Sequence, residues 1–430
     1  MFGYSMIQMV RRNGHKIDKG VRQQLLQTYH PFRKIPCIFH KPLEFFAKKI
    51  KRIPIIIEFE KDAFHLGMTD VTHTNCRTTF EFPSISCCSA KVTINQLEKL
   101  LDHSPHIKKV YYDRKVQALL DQATPSIRSD QLQESGVTGK DVTIAVIDTG
   151  IHPHTDLQGR IIGFKDFVND RVEPYDDNGH GTHCAGDAAG NGSSSGGQYK
   201  GPAPEASVVG VKVLNKKGAG SLSTVIAGIE WCIQHQAQYN IKVLSLSLGS
   251  DATQSPESDP VVLAAEKAWD QGIVVCAAAG NAGSAQQTIA SPGISPKIIT
   301  VGAANDFNNA DRSDDQVADF SSRGPTIAGD MKPDLVTPGV NIVSLRAPGS
   351  FLDKTNPGAR VGSDYFSLSG TSMATPICAG VVAQLLQMEP ELAPDKVKLR
   401  LLNACEDMGE PDYAQGRGYL NTANLRKGSS

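Results

Sequence analysis

Ser372 sits in Phe366-Ser-Leu-Ser-Gly-Thr-Ser-Met-Ala-Thr-Pro376, at the head of the apolar run Ile377–Met388. That run is long and apolar enough to predict a buried helix. A serine at such a helix start has its own backbone N–H free and the positive end of the helix dipole beneath it. Both features suit a nucleophile whose attack creates an oxyanion. On its own the serine reads as an ordinary N-cap, so other stretches must decide. Asp148 ends an apolar run in Val146-Ile-Asp-Thr-Gly150, and alone it reads as a turn aspartate before glycine. His180 lies in Asp177-Asn-Gly-His-Gly-Thr-His-Cys-Ala-Gly186, and Asn281 closes Ala277-Ala-Ala-Gly-Asn281. An acid, an imidazole, an amide and a hydroxyl each have a use together. A serine hydroxyl is a poor nucleophile until a neutral histidine takes its proton. That base needs a buried carboxylate to fix its tautomer and stabilise the imidazolium. The developing charge needs donors, here the Asn281 amide and the Ser372 N–H; one such donor is worth about 2.7–4 kcal/mol of barrier.

The elements that must hold these residues are legible. Continuous apolar strands are predicted at Asp141–Ile147, Ser207–Leu214, Lys242–Leu248, Gly272–Ala278 and Ile298–Val301. Between them lie helical segments. The clearest is Ser221–Gln236, where Leu222, Val225, Ile226, Ile229, Cys232 and Ile233 trace one face. Such a pattern predicts an α/β fold, a doubly wound, mostly parallel sheet with helices on both faces. Its ligand site is expected at the carboxyl ends of the strands, where Asp148 and Asn281 stand. Upstream, Ile53–Phe59, Ser84–Val92 and Ile107–Asp113 read as strands, and Thr93 with Gln96 opens a helix with a capping box. They predict a small α+β unit of the split βαβ kind. The expected organisation is a basic, irregular extension over 1–52 with no assigned role, the small unit over 53–113, a polar linker over 114–135, and the large domain over 136–430.

Composition narrows the function. A formal net charge of −1 over 430 residues gives no bulk attraction to nucleic acid or to a membrane surface. No apolar run reaches transmembrane length, and the first residues are too short and interrupted for a signal peptide. Nine cysteines, most inside apolar strands or helices, read as buried free thiols in a reducing compartment, the cytoplasm.

Asp148-Thr-Gly, His180-Gly-Thr-His-Cys-Ala-Gly and Gly370-Thr-Ser-Met-Ala-Thr-Pro376 resemble the three signature motifs of the subtilisin-like serine proteases, and Gly280-Asn281 matches that family's oxyanion-hole asparagine. With no signal sequence, the chain looks most like the cytoplasmic AprX-type members. The resemblance implies a subtilisin-like catalytic domain with Asp148, His180 and Ser372 as triad. It implies that an extended protein or peptide substrate is held between Gly218-Ala219-Gly220 and Ser247-Leu248-Gly249. Ala278, Gly280 and Ala290 would wall the specificity pocket. Ala282, where some relatives carry an acid, implies apolar or aromatic residues before the cut. Asp156 and Asn191 would help hold a structural calcium, and no organic cofactor is implied. The 53–113 unit resembles the family's ferredoxin-like propeptide, at once folding chaperone and temporary inhibitor, with a processing point in 114–135. Zinc is not expected, because His180-Gly-Thr-His183 lacks the glutamate of the zinc-protease helix. Two other classes stand against this reading. An idle peptide-binding relative should have lost a member of the set, and a dinucleotide enzyme should carry G-x-G-x-x-G after its first strand.

Overall fold

Alternating burial builds the first sheet. In the computed structural model, which describes residues 5–29, 40–60, 62–82, 86–112, 120–307, 309 and 312–428, the chain divides into two units, Met1–Val116 and Gln117–Ser430. The first carries strands β1 (Arg52–Phe59), β2 (Thr78–Phe82), β3 (Cys87–Thr93) and β4 (Ile107–Tyr112), paired antiparallel in the order β2-β3-β1-β4. Ile53, Ile55, Ile57 and Phe59 of β1 face one side and are buried, the period of two expected of a half-covered strand. Helices Phe64–His73 and Ile94–His103 add Val71, Leu97 and Leu100 to the same core. The Thr93–Gln96 capping box is present.

The described residues of 1–52 are not the irregular extension the sequence suggested. Helices span Ser5–Arg12, Lys19–Tyr29 and His40–Ile50, and Met9, Val21 and Leu25 are buried with β1 and β4 in one core. Ile17 bridges to Val110, with Val110 N donating to Lys16 O and Asp18 N to Val110 O. The helix Phe64–His73 and strand β2 were also missed. Four of that helix's ten residues are threonine, valine or glycine, which are weak helix formers. Its Gly67 lies so close under β1 that a Cβ would fall 2.1 Å from the Phe59 ring. The expected strand start at Ser84 lies outside the described residues.

In the second unit the parallel strands are β5 (Thr143–Asp148), β6 (Ile161–Asp166), β7 (Ser207–Lys212), β8 (Ile241–Leu246), β9 (Val274–Ala278) and β10 (Ile299–Asn305). After β11 (Gln316–Val317), an antiparallel partner of β10, comes β12 (Leu335–Pro338), parallel to β10. A hairpin sheet β13 (Ile342–Leu345), β14 (Arg360–Val361) and β15 (Tyr365–Leu368) follows, and β16 (Cys405–Glu406) and β17 (Tyr419–Leu420) close the main sheet. The main order is β16-β17-β12-β10-β9-β8-β5-β7-β6. From β5 the chain crosses to the edge strand β6, returns to β7 beside β5, then restarts on the other side of β5 with β8, which makes the β5–β8 boundary the switch point. Helices cover both faces. A Cβ on Gly228 of helix Leu222–Gln234 would meet Ile147, and one on Gly181 of helix His180–Ala189 would meet Asp148. Neighbouring strand residues point to opposite faces.

Residues 120–135 are not a linker either. Helices Leu120–Ser126 and Ser129–Glu134 and the turn between them bury Ala123, Ile127 and Leu132 in the main core. Ser129 Oγ donates to Gln384 Oε1 (2.7 Å), Thr124 Oγ1 to Lys200 O (2.6 Å), and Thr138 N and Gly139 N to Gln387 Oε1 (2.7 Å each). A linker residue would tolerate truncation. Ile127→Ala is instead expected to cost about 2–5 kcal/mol, seen as a lower melting temperature of the second unit; an unchanged melting curve would restore the linker reading.

Candidate active site

Asp148 ends β5 fully buried, and a buried carboxylate must be matched by donors. Its Oδ1 accepts Thr149 N at 2.6 Å, and His180 Nδ1 lies 2.8 Å from Oδ1 and 2.9 Å from Oδ2. An ionised carboxylate only accepts, so Nδ1 carries the proton and Nε2 is left unprotonated in the neutral ring. Burial works against the imidazolium, but Asp148 outweighs it and holds His180 well above the ordinary 6.5. Cys184 Sγ, 3.7 Å from Nδ1, is uncharged, because burial pushes its pKa to about 12.

The local chain explains how the histidine arrives there. Gly181 takes helix His180–Ala189 so close to β5 that a Cβ would lie 2.3 Å from Gly150 O. Asp176 caps that helix, a role sequence reasoning did not assign. Its Oδ1 accepts Asn178 N, Gly179 N and Thr149 Oγ1, and its Oδ2 accepts Thr182 N and Thr182 Oγ1, all within 3.0 Å. An aspartate four residues before a glycine-rich helix start was the available signal. Lys212, buried at the end of β7, was also missed. It donates to Thr149 O, Asp177 Oδ1 and Leu214 O, binding the loops after three elements to one ammonium.

Ser372 is the second residue of helix Thr371–Met388. Pro376 has no N–H to return to the Ser372 carbonyl, as an i→i−4 bond requires. That carbonyl accepts Ser247 Oγ at 2.8 Å and Cys184 Sγ at 3.4 Å instead. Ser372 Oγ donates to Ser247 O at 3.1 Å. Attack therefore needs this hydroxyl to exchange that acceptor for His180 Nε2, a tightening expected once substrate is bound. Asn281 Oδ1 accepts Thr371 N (2.9 Å) and Thr371 Oγ1 (3.1 Å), which leaves its Nδ2 donor for the cleft.

The expected substrate residues converge. Gly218, Ala219, Gly220, Ser247, Leu248 and Gly249 line a cleft of about 500 Å³ that also holds His180 and Ser372. An adjoining pocket of about 490 Å³ is walled by Ala278, Gly280, Asn281, Ala282 and Ala290, with Ser372 at the junction and the exposed Asp251 at its rim. Gly280 has φ +109°, and a Cβ there would lie 2.8 Å from Ser322 Oγ. The Ser291–Pro292 bond is cis.

Asp156 and Asn191 stand apart from this cleft, and their surroundings do not fit calcium. Asp156 Oδ1 accepts Ser194 N (2.9 Å) and Oδ2 accepts the Tyr365 hydroxyl (2.7 Å). Asn191 Oδ1 accepts Ser193 N and Ser193 Oγ. The Gly192 carbonyl is taken by Ser195 and Gly197. A cation is already built in: Arg160 donates to the carbonyls of Asp156, Ala189 and Ala206. A calcium site needs six to eight oxygens turned inward, and these oxygens face protein donors. EDTA should therefore leave the melting temperature unchanged, whereas Tyr365→Phe, which strips Asp156 of a donor, should lower it by a few degrees. A drop of ten degrees with EDTA, reversed by calcium, would overturn this.

Comparison with known proteins agrees with the geometry. The family model described as the Subtilase family matches residues 139–419. Serine protease AprX of Bacillus subtilis is 52% identical over 99% of both chains. Subtilisin DY of Bacillus licheniformis is 36% identical over 69% of this chain and 95% of its own length. Among solved structures, a cold adapted subtilisin-like serine proteinase superposes with a TM-score of 0.52 at 32% identity, over 66% of this chain and 89% of that one. With a fold, a family match and full-length relatives in agreement, the chain belongs to the subtilase family and is a serine protease.

Proposed function

We propose that this serine protease is an endopeptidase working through Asp148, His180 and Ser372. Ser372 Oγ attacks the scissile carbonyl carbon as its proton passes to His180 Nε2. The oxyanion is held by Asn281 Nδ2 and the Ser372 N–H. His180 returns the proton to the departing amine, leaving an acyl-serine, and water repeats the sequence in reverse roles to release the acid. The observation that carries this reading is the His180 Nδ1 clamp on the buried Asp148, with Ser372 on the same cleft as the imidazole. No observation favours an idle peptide-binding role.

The pocket beside Asn281 supports a preference for apolar or aromatic residues before the cut, since its walls are small, Ala282 brings no charge, and the one lining carboxylate, Asp251, is exposed at the rim. The β2-β3-β1-β4 order supports reading the first unit as a ferredoxin-like prodomain that assists folding and inhibits the enzyme. Because residues 120–135 are built into the catalytic unit, we place any processing point upstream of Leu120. All eight described cysteines are free, which supports a cytoplasmic setting. Neither nucleic acid nor membrane is assigned as a partner.

A fluorophosphonate probe should label the protein at Ser372 and fail in Ser372→Ala; labelling that survives would end the triad assignment. Activity needs the neutral imidazole, and Asp148 raises its pKa. Activity should therefore fall, as pH is lowered, through a midpoint above 6.5, and Asp148→Asn should lower kcat by about 10⁴. An acid midpoint below 6 would contradict the assigned clamp. Sequencing of the active species and of fragments it cuts from an unfolded protein reads the remaining points. Its N-terminus should lie before Leu120 or at the start of the chain, and Lys or Arg should not dominate before the cuts.

A further inference from the structure

We infer that Leu352, carried on the short helix Phe351–Thr355 within the segment Gly349–Gly362, is a specificity-determining residue that selects an apolar side chain on the substrate residue preceding the one in the specificity pocket.

This stretch is pinned against the catalytic histidine's own approach segment. Phe351 N donates to Asp177 O and Leu352 N to Asn178 O, each at 2.9 Å. Asn178 in turn receives His180 N on its Oδ1 (3.1 Å) and gives its Nδ2 to Lys216 O (2.9 Å). Leu352 N and His180 N thus both donate to Asn178, one to its carbonyl and one to its side chain. Gly179 makes room for it, since a Cβ there would fall 2.7 Å from Ser350 Oγ and 3.7 Å from Leu352 Cβ. The far side of the stretch is fixed around Asp353, which is 3% exposed. Its carboxylate accepts Arg346 Nε (2.6 Å), Arg360 Nε (2.7 Å) and Gly349 N (2.9 Å), and its carbonyl accepts Arg360 Nη2 (2.8 Å). Two guanidiniums sharing one buried carboxylate hold a chain segment far more rigidly than an exposed ion pair. Leu352 is half-buried and lines the main cleft together with Leu214, His180 and Ser372.

Substrate geometry assigns the position. In an extended peptide successive side chains point to opposite sides. With one side chain in the pocket walled by Ala278, Gly280 and Ala290, the residue before it turns away from that pocket. It faces the wall that His180, Leu214 and Leu352 form. A charged side chain there would lose water against two leucines, whereas an apolar one gains by burial. This inference rests on the proposed triad, because the substrate's register is set by Ser372.

The test uses the full-length enzyme and peptide p-nitroanilides of the form acetyl-Ala-Ala-X-Phe, with X as Leu, Glu or Lys. Rates are normalised to fluorophosphonate titration of Ser372. The unmodified protein should favour Leu over Glu at X by about tenfold or more in kcat/KM. Leu352→Ala should shrink that ratio severalfold. Leu352→Glu should raise Lys over Glu at X by about tenfold relative to the unmodified protein. If both variants titrate fully but keep the original X preference, the inference is overturned; the same holds if the change appears instead in residues after the cut. Failure of Ser372 to titrate in the unmodified protein would sink the triad assignment, a different outcome.

Discussion

A carboxylate with no exposed surface, facing an imidazole at 2.8 Å, is the constraint that the second unit is arranged to satisfy. Desolvating Asp148 is costly, and only hydrogen bonds and a cationic or polar partner offset it. The chain supplies these from three directions: its own next residue, the helix that begins at His180, and the Thr149–Asp176 link that holds that helix in place. Gly181 is where this geometry is most exacting, because any side chain there would separate imidazole from carboxylate. The clamp raises the basicity of His180, so it favours the step in which the serine's proton is taken, at the expense of activity in mild acid.

The nucleophile is held by the same economy of contacts. Pro376 withholds one hydrogen bond inside the central helix, and the carbonyl so released becomes an anchor for Ser247 and Cys184. The substrate-facing end of β8, the histidine's helix and the serine therefore meet at a single peptide group. A shift in any of them is felt by the others, which accounts for the burial of almost every residue of helix Thr371–Met388.

Much of this was legible in the chain. Continuous apolar strands with polar residues at their carboxyl ends gave the sheet and placed Asp148 and Asn281 at the ends of its strands, while Ser247 was reached only through the family resemblance. Local signals, such as the Thr93–Gln96 capping box, also held. What stayed hidden depends on partners far away in sequence. Met9, Val21 and Leu25 sit among basic and polar neighbours, and their shared face matters only once β1 and β4 exist to cover. Ser129 and Gln384 look like surface polar residues until they meet across 255 positions. Tyr365 turns the expected calcium ligand Asp156 into a hydrogen-bond acceptor from 209 positions away. Leu352 lies in a five-residue helix, too short for a periodicity to announce it.

The union of residues 120–140 with the far end of the helix that begins at Thr371 also orders events in time. Ribosomes make the first unit, with its own sheet and core, before any strand of the large sheet exists. Helix Thr371–Met388 emerges near the end, yet it packs against the middle strands of that sheet and closes loops of some 250 residues. Topologies dominated by such distant pairings fold slowly and leave apolar surface uncovered meanwhile. The reactive serine is thus among the last parts to be installed, and a nascent chain stays chemically harmless until nearly all of it has been synthesised.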